Sequence, residues 1–166
     1  MVIARLLAAP RRVLVGISVA CLGMLAFGIF YLQGVVGLQP CPMCIVQREA
    51  LILVAVFCAL AALRPGRSWR RAFMALALLA AGFGAFTAAR QSWLQWNPPP
   101  FATCGRDLYG MIESLPLQRV IPMIFKGGGD CAAVDWTFLG GTIANWSFMW
   151  FAFCVVALLA LWLRRA

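Results

Sequence analysis

Three stretches of the chain run for 18 residues or more without a charged side chain: Val13–Leu32 with 20, Ala72–Ala89 with 18 and Trp146–Leu163 with 18. A helix rises about 1.5 Å per residue, so each covers most or all of a hydrocarbon core about 30 Å thick. A fourth run, Ala50–Leu63, has only 14 uncharged residues. That reaches roughly 21 Å as helix, so to cross it must begin near Pro42 or Met43. Arg48 and Glu49 then fall inside its first two turns, at interfacial depth. The chain of 166 residues is 64% hydrophobic and 11% charged, where a soluble domain is nearer half apolar and a quarter charged. The expectation is an all-α membrane protein. A four-transmembrane-helix bundle forms one domain over residues 1–166, with spans near 13–32, 43–63, 72–89 and 146–163. No length remains for a second large domain.

Fourteen basic residues face five acidic ones, for a net charge of +9. Their positions explain the excess. Arg5, Arg11, Arg12, Arg64, Arg67, Arg70, Arg71, Arg164 and Arg165 share one side of a four-span chain, with no acid among them. On the other side Arg48, Arg90, Arg106, Arg119 and Lys126 are balanced by Glu49, Asp107, Glu113, Asp130 and Asp135. This is the positive-inside pattern with both termini cytoplasmic, and it accounts for the charge without nucleic acid. Trp146, Trp150 and Trp162 near the ends of the last span fit interfacial anchoring. A cleaved signal peptide is the competing reading of the N-terminus, but the run is long for a signal core and three spans follow it. "SVAC" at 18–21 has Ser18 where a lipoprotein cleavage site wants an aliphatic residue.

There are seven cysteines and no histidine, which removes the commonest general base and the commonest metal ligand together. Cys41 and Cys44 close the short first external loop; Cys104 and Cys131 lie in the long second one, Arg90 to Asn145. All four face one compartment, which outside a bacterial inner membrane is oxidising. Cys21, Cys58 and Cys154 sit within spans, where cysteine acts as a small hydrophobe. A Cys-x-x-Cys reads as a redox pair, as half of a zinc site, or as chance. The four external thiols suffice for zinc, but only one pair has zinc-like spacing. As static staples the two pairs differ. Bridging Cys104 to Cys131 would contribute roughly 3–4 kcal/mol by chain entropy, whereas closing Cys41–Cys44 gains little.

The surroundings of "QPCPMCIVQRE", residues 39–49, favour redox work. Pro42 suits the first position of a helix, making Cys41 its cap and placing Cys44 in the first turn. Free backbone N–H groups and the helix dipole there favour a thiolate. Arg48 lies four residues on, on the same face. Its plainer role is that of a snorkelling arginine paired with Glu49 or a lipid phosphate. No GxGxxG or CxxCH motif marks a bound nicotinamide, flavin or haem. A lipid-soluble quinone needs no such motif, and a cation at Arg48 would polarise its carbonyl.

In the second loop, "WNPPPFATC" places a stiff extended segment before Cys104, suited to docking Phe101–Cys104 in a partner's groove or to acting as a spacer. "GGGDC" puts a glycine hinge before Cys131. The apolar stretch 108–125, broken by Pro116 and Pro122, is expected as one or two short helices on the membrane surface, or as a packed lid.

Together these residues resemble the DsbB family, the bacterial inner-membrane proteins that reoxidise the periplasmic dithiol oxidase DsbA. The resemblance rests on "QPCPMC" followed by Arg48, "PFATC" ending at Cys104, "GDC" ending at Cys131 and "WTFLG" at 136–140, within four spans. It implies a thiol–quinone oxidoreductase with Cys41, Cys44, Cys104 and Cys131 catalytic. Arg48 and Gln91 would serve ubiquinone or menaquinone, with no metal. By that resemblance the reduced partner attacks Cys104, the released Cys131 attacks Cys41, and the freed Cys44 passes electrons to the quinone. Some members carry a histidine at the end of the third span; Gln91 stands there in this chain, able to donate a hydrogen bond but not to hold charge. Two other classes compete. A carrier of reductant from the cytoplasm needs thiols that reach that side, and a structural or metal-binding protein would keep its bridges static. A vitamin-K-epoxide-reductase-like enzyme shares the chemistry with its cysteine pairs in the other order.

Overall fold

The computed structural model describes residues 10–63, 66–98, 122 and 129–163. Four long helices dominate. Helix α1 runs over Pro10–Ala26 and continues as a π-helix over Phe27–Gln33. Helix α2 covers Pro42–Leu63 and α3 covers Arg67–Trp96. A single turn, α4, covers Gly129–Ala132. The strands β1 (Thr137–Phe138) and β2 (Gly141–Thr142) form an antiparallel hairpin, and α5 covers Ile143–Leu163. Each long helix is apolar enough to cross a bilayer, and helices satisfy their own backbone groups where no water can. All four extend past the charge-free runs. The largest extension is in α3, which carries Arg90 and Gln91 inside the helix instead of at its end, and stops at Trp96 just before Asn97 and Pro98. The surface helices expected over 108–125 lie outside the described residues apart from Pro122.

The helices pack in sequence, α1 on α2, α2 on α3 and α3 on α5. Small side chains allow the close approach, as in membrane bundles generally. Ala77, Ala80, Ala81 and Ala88 of α3 are buried, and Gly84 leaves room for the ring of fully buried Phe151. Ser18 Oγ donates to the Ala55 carbonyl at 2.9 Å, tying α1 to α2. Outward lie exposed Val19, Leu22, Leu79, Phe86 and Val156, the face a bilayer would solvate.

The three cysteines within the spans come together. Cys21, Cys58 and Cys154 are fully buried in one core, Cys21 is hydrogen-bonded to Cys154, and Trp150 Nε1 donates to Cys21 Sγ at 3.3 Å. Trp150 therefore points inward and links α5 to α1, where the sequence pattern suggested an interfacial anchor.

Candidate functional site

The first turn of α2 assembles the sulfur pair. Cys41 caps the helix: its sulfur accepts the Cys44 backbone N–H at 3.3 Å and its carbonyl accepts that of Ile45 at 3.1 Å. With Pro42 in the first helical position, the cap leaves few orphan donors. The two sulfurs stand 3.0 Å apart as free thiols.

Gln91, projecting from α3, serves both sulfurs with one amide group. Its Nε2 lies 3.3 Å from Cys44 Sγ and 3.4 Å from Cys41 Sγ. Its Oε1 accepts Gln47 Nε2 at 2.6 Å. Both glutamines are buried, at 4% exposure. This arrangement became possible because α3 continues past Gln91; a helix ending there would have left the side chain at the interface.

Cys131 lies behind the pair. The single turn α4 packs on α3 and inserts Cys131 into a small core with Cys41, Met43 and Leu94, against which Cys44 packs. Cys131 is 1% exposed. The glycine-rich run before it thus leads into a docked position in this structure. Hydrogen bonds to Cys131 and Cys44, together with burial, push the Cys41 thiol well above its ordinary range. Cys41 is accordingly the sulfur that keeps its proton. Cys104 lies outside the described residues.

Arg48 is held from α1. Its Nη1 donates to Gln33 Oε1 at 2.7 Å, and its Nη2 lies 3.8 Å from where a Cβ on Gly28 would stand. Gly28 and Gln33 are five residues apart, which in an α-helix of 3.6 residues per turn puts them about 140° apart around the axis. The π-helix is wound more widely, with i→i+5 hydrogen bonds such as Gly34 N–H to Ile29 O at 3.1 Å. That winding brings both residues to one face, around the guanidinium.

Cys44 and Arg48 open onto a cavity of about 630 Å³, within the range of small-molecule sites. Met24, Leu25 and Leu51 form its apolar floor. A chain of rings spans it from α1 to α5: Phe27 stacks on Tyr31 at 5.0 Å and meets Trp136 edge-on at 6.3 Å. Trp136 stacks on Phe138 at 6.0 Å, and Phe138 lies 6.2 Å from Trp146. Gln95 fixes this wall to α3, accepting from Thr142 Oγ1 at 2.7 Å and donating to Ala133 O at 3.4 Å. The lining is mostly apolar, with the Arg48 guanidinium, the Asp135 carboxylate and several glutamines as its polar groups. Among the described residues no three His, Cys, Asp or Glu side chains are arranged to hold a metal ion.

Of the residues expected from sequence, Cys41, Cys44, Arg48, Gln91 and Cys131 are brought to one end of the bundle. Gln33, Gln47 and Gln95 were not foreseen. Their signal was an uncharged polar side chain within or beside an apolar helix near the cysteines: Gln47 one turn after Cys44 on α2, Gln33 and Gln95 at the ends of the neighbouring spans.

A family model described as DsbB, disulfide bond formation protein DsbB, matches residues 10–161. The chain is 68% identical over 156 residues to disulfide bond formation protein B of Acidovorax sp. (strain JS42), covering 94% of this chain and 89% of that one. It is 63% identical to the protein of the same name from Polaromonas naphthalenivorans (strain CJ2), covering 94% and 92%. The protein of that name from Azoarcus sp. (strain BH72) is 48% identical, with 92% and 91% covered.

Proposed function

The chain belongs to the DsbB family of disulfide bond formation proteins, and from that premise we propose that it reoxidises a DsbA-like periplasmic thioredoxin-fold oxidase and delivers the electrons to a membrane quinone, ubiquinone or menaquinone. Family membership carries the broader statements: a multi-pass membrane protein that takes part in disulfide formation by oxidoreductase chemistry. The reading adds a bacterial inner membrane, cytoplasmic termini and redox loops on the periplasmic side, supported by the nine unbalanced arginines of one face.

One observation carries the proposal. Cys41 has Cys131 on one side and Cys44 on the other, and Cys44 opens onto the apolar cavity beside Arg48. In the proposed cycle the partner's dithiol exchanges with a Cys104–Cys131 disulfide, leaving the partner oxidised and these two reduced. The Cys131 thiolate then attacks Cys41 of a Cys41–Cys44 disulfide, so the new bond is Cys41–Cys131 and the leaving group is the Cys44 thiolate. Cys104 resolves that bond, and the Cys104–Cys131 bridge re-forms. A bound quinone supplies a sink for two electrons and two protons. On the protein side, Gln91 donates to both sulfurs and Arg48 places positive charge at the cavity wall. Cys41–Cys44 closes again when the electron pair has left.

The test is steady-state quinone reduction by purified protein in detergent, with a reduced thioredoxin-fold dithiol protein as donor. Loss of the quinone's ultraviolet absorbance in step with donor oxidation is expected, and Cys44→Ala should abolish it. Full turnover by that variant would sink the proposal.

A further inference from the structure

We propose that Gln47 is a positioning residue for the sulfur pair: it holds the carbonyl of Gln91 and so aims the Gln91 amide nitrogen at Cys44 and Cys41. The inference rests on the reading of Cys41–Cys44 as the redox pair.

A glutamine amide presents an acceptor and a donor group of nearly the same shape. Facing a sulfur, the two ends act in opposite senses. The NH2 end stabilises a thiolate; the carbonyl end repels it. Something must select between them. Gln91 is buried, so its carbonyl needs a partner, and an orphaned one costs about 1–3 kcal/mol. Gln47 provides that partner at 2.6 Å. The NH2 group is then left to the sulfurs, at 3.3 and 3.4 Å, while the Cys44 thiol also reaches the Gln91 carbonyl at a longer 3.8 Å. Gln47 stands three residues after Cys44 on α2, so one helix supplies both the sulfur and the group that orients its donor. Consecutive hydrogen bonds in a low-dielectric setting also polarise one another, which strengthens the terminal N–H toward sulfur. In a chain without histidine, this neutral relay is how α3 reaches the cysteines.

The test uses reduced full-length protein in detergent. Iodoacetamide alkylation of Cys44 is followed by mass spectrometry, residue by residue, from about pH 5 to 9, across the range of perturbed thiols. Three variants are compared: Gln47→Met, Gln91→Met and the double variant. All are neutral and similar in volume, and all leave the ionisable groups around Cys44 in place. Those groups are Cys41 before α2, Arg48 on α2, Cys131 on α4, and Tyr31 and Asp135 across the cavity.

Each single variant should move the alkylation midpoint upward by about one pH unit, roughly tenfold in rate at fixed pH below the midpoint. The double variant should move it no further than Gln91→Met alone, because Gln47 acts through Gln91. A wild-type profile in Gln47→Met, or additive shifts in the double variant, overturns the proposal. If Gln47→Met is not recovered folded, Gln47→Leu replaces it. It is neutral and has no donor for the Gln91 carbonyl, so the midpoint must rise; an unchanged midpoint overturns the proposal. Neither quinone nor partner enters the readout. A chain that reduces no quinone yet shows the coupled shift supports this inference and overturns the reading of the cavity. Full quinone turnover with additive shifts does the reverse.

Discussion

Cys131 is hydrogen-bonded to Cys41 although the helices α2 and α3 lie between them in sequence, and the two share a buried core with Met43 and Leu94. A single turn of helix, docked on α3, accomplishes this. The proposed exchange between Cys131 and Cys41 would therefore need no large movement of Cys131.

From that contact, the variant Cys44→Ala should trap a Cys41–Cys131 disulfide under mild oxidation. Peptide mapping without reductant checks it. The bridge should reach a large fraction of molecules within minutes, whereas a Cys41–Cys44 bridge in Cys131→Ala should form without joining the second loop to α2.

Arg48 is anchored through Gln33, so charge and position can be separated. Arg48→Met should lower kcat/KM for quinone by roughly 100-fold, as when one preorganised donor is removed from a reacting oxygen. Gln33→Leu keeps the charge but frees the guanidinium, and should cost about tenfold or less. Steady-state assays with a soluble short-chain quinone measure both.

The Cys41 thiol is held above its ordinary value of 9.0 by its hydrogen bonds to Cys131 and Cys44 and by burial. A raised value in the folded state means that above pH 9 the unfolded chain has released this proton and the folded chain has not. The stabilisation is full below that pH and is lost as pH rises, by at most about 1.4 kcal/mol per unit. Reduced wild type should therefore lose melting temperature more steeply than Cys41→Ala between about pH 9 and 10. Equal slopes in thermal scans would show that the proton is not retained.

Gly84→Ala places a methyl group in the Phe151 ring. Phe151 is fully buried between α3 and α5, so overpacking should cost about 1–3 kcal/mol. Thermal unfolding in detergent measures it, and Gly82→Ala, which meets nothing within 4 Å, serves as the control.

The hairpin turn holds Leu139 at φ 50 and Gly140 at φ 79, the positive angles of a tight two-residue turn. A leucine there is strained by about 1–2 kcal/mol. Leu139→Gly should relieve part of this and rigidify the aromatic wall of the cavity, seen as slower amide exchange at Thr142.

The spans and the placing of the sulfur pair and Arg48 at one helix end were legible in the sequence because each rests on something local. Charge-free length marks a helix that can cross a membrane, and Cys41, Cys44 and Arg48 keep a fixed spacing along one helix. What escaped depended on the rotation of one helix against another. Nothing local says that Cys21, Cys58 and Cys154, isolated in three spans, turn toward one another, or that Trp150 turns inward to meet them. Gln47 was hidden for the same reason: its meaning comes from Gln91, and their encounter is set by the phase of α2 against α3. The reach of α3 past Arg90 was also concealed, since a charged residue looked like the end of a span.

The π-helical segment Phe27–Gln33 makes the site sensitive to chain length as well as to side-chain identity. A widened coil accommodates extra residues in a space where an α-helix would hold fewer. Deleting one residue between Phe27 and Gln33 would let α1 rewind, rotate Gln33 away from Arg48, and leave the rest of the helix in place. Scanning by substitution would pass over such a dependence; scanning by single-residue deletion would expose it. Relatives that gain or lose one residue here would then differ in how they hold their arginine, even with the same residues lining the cavity.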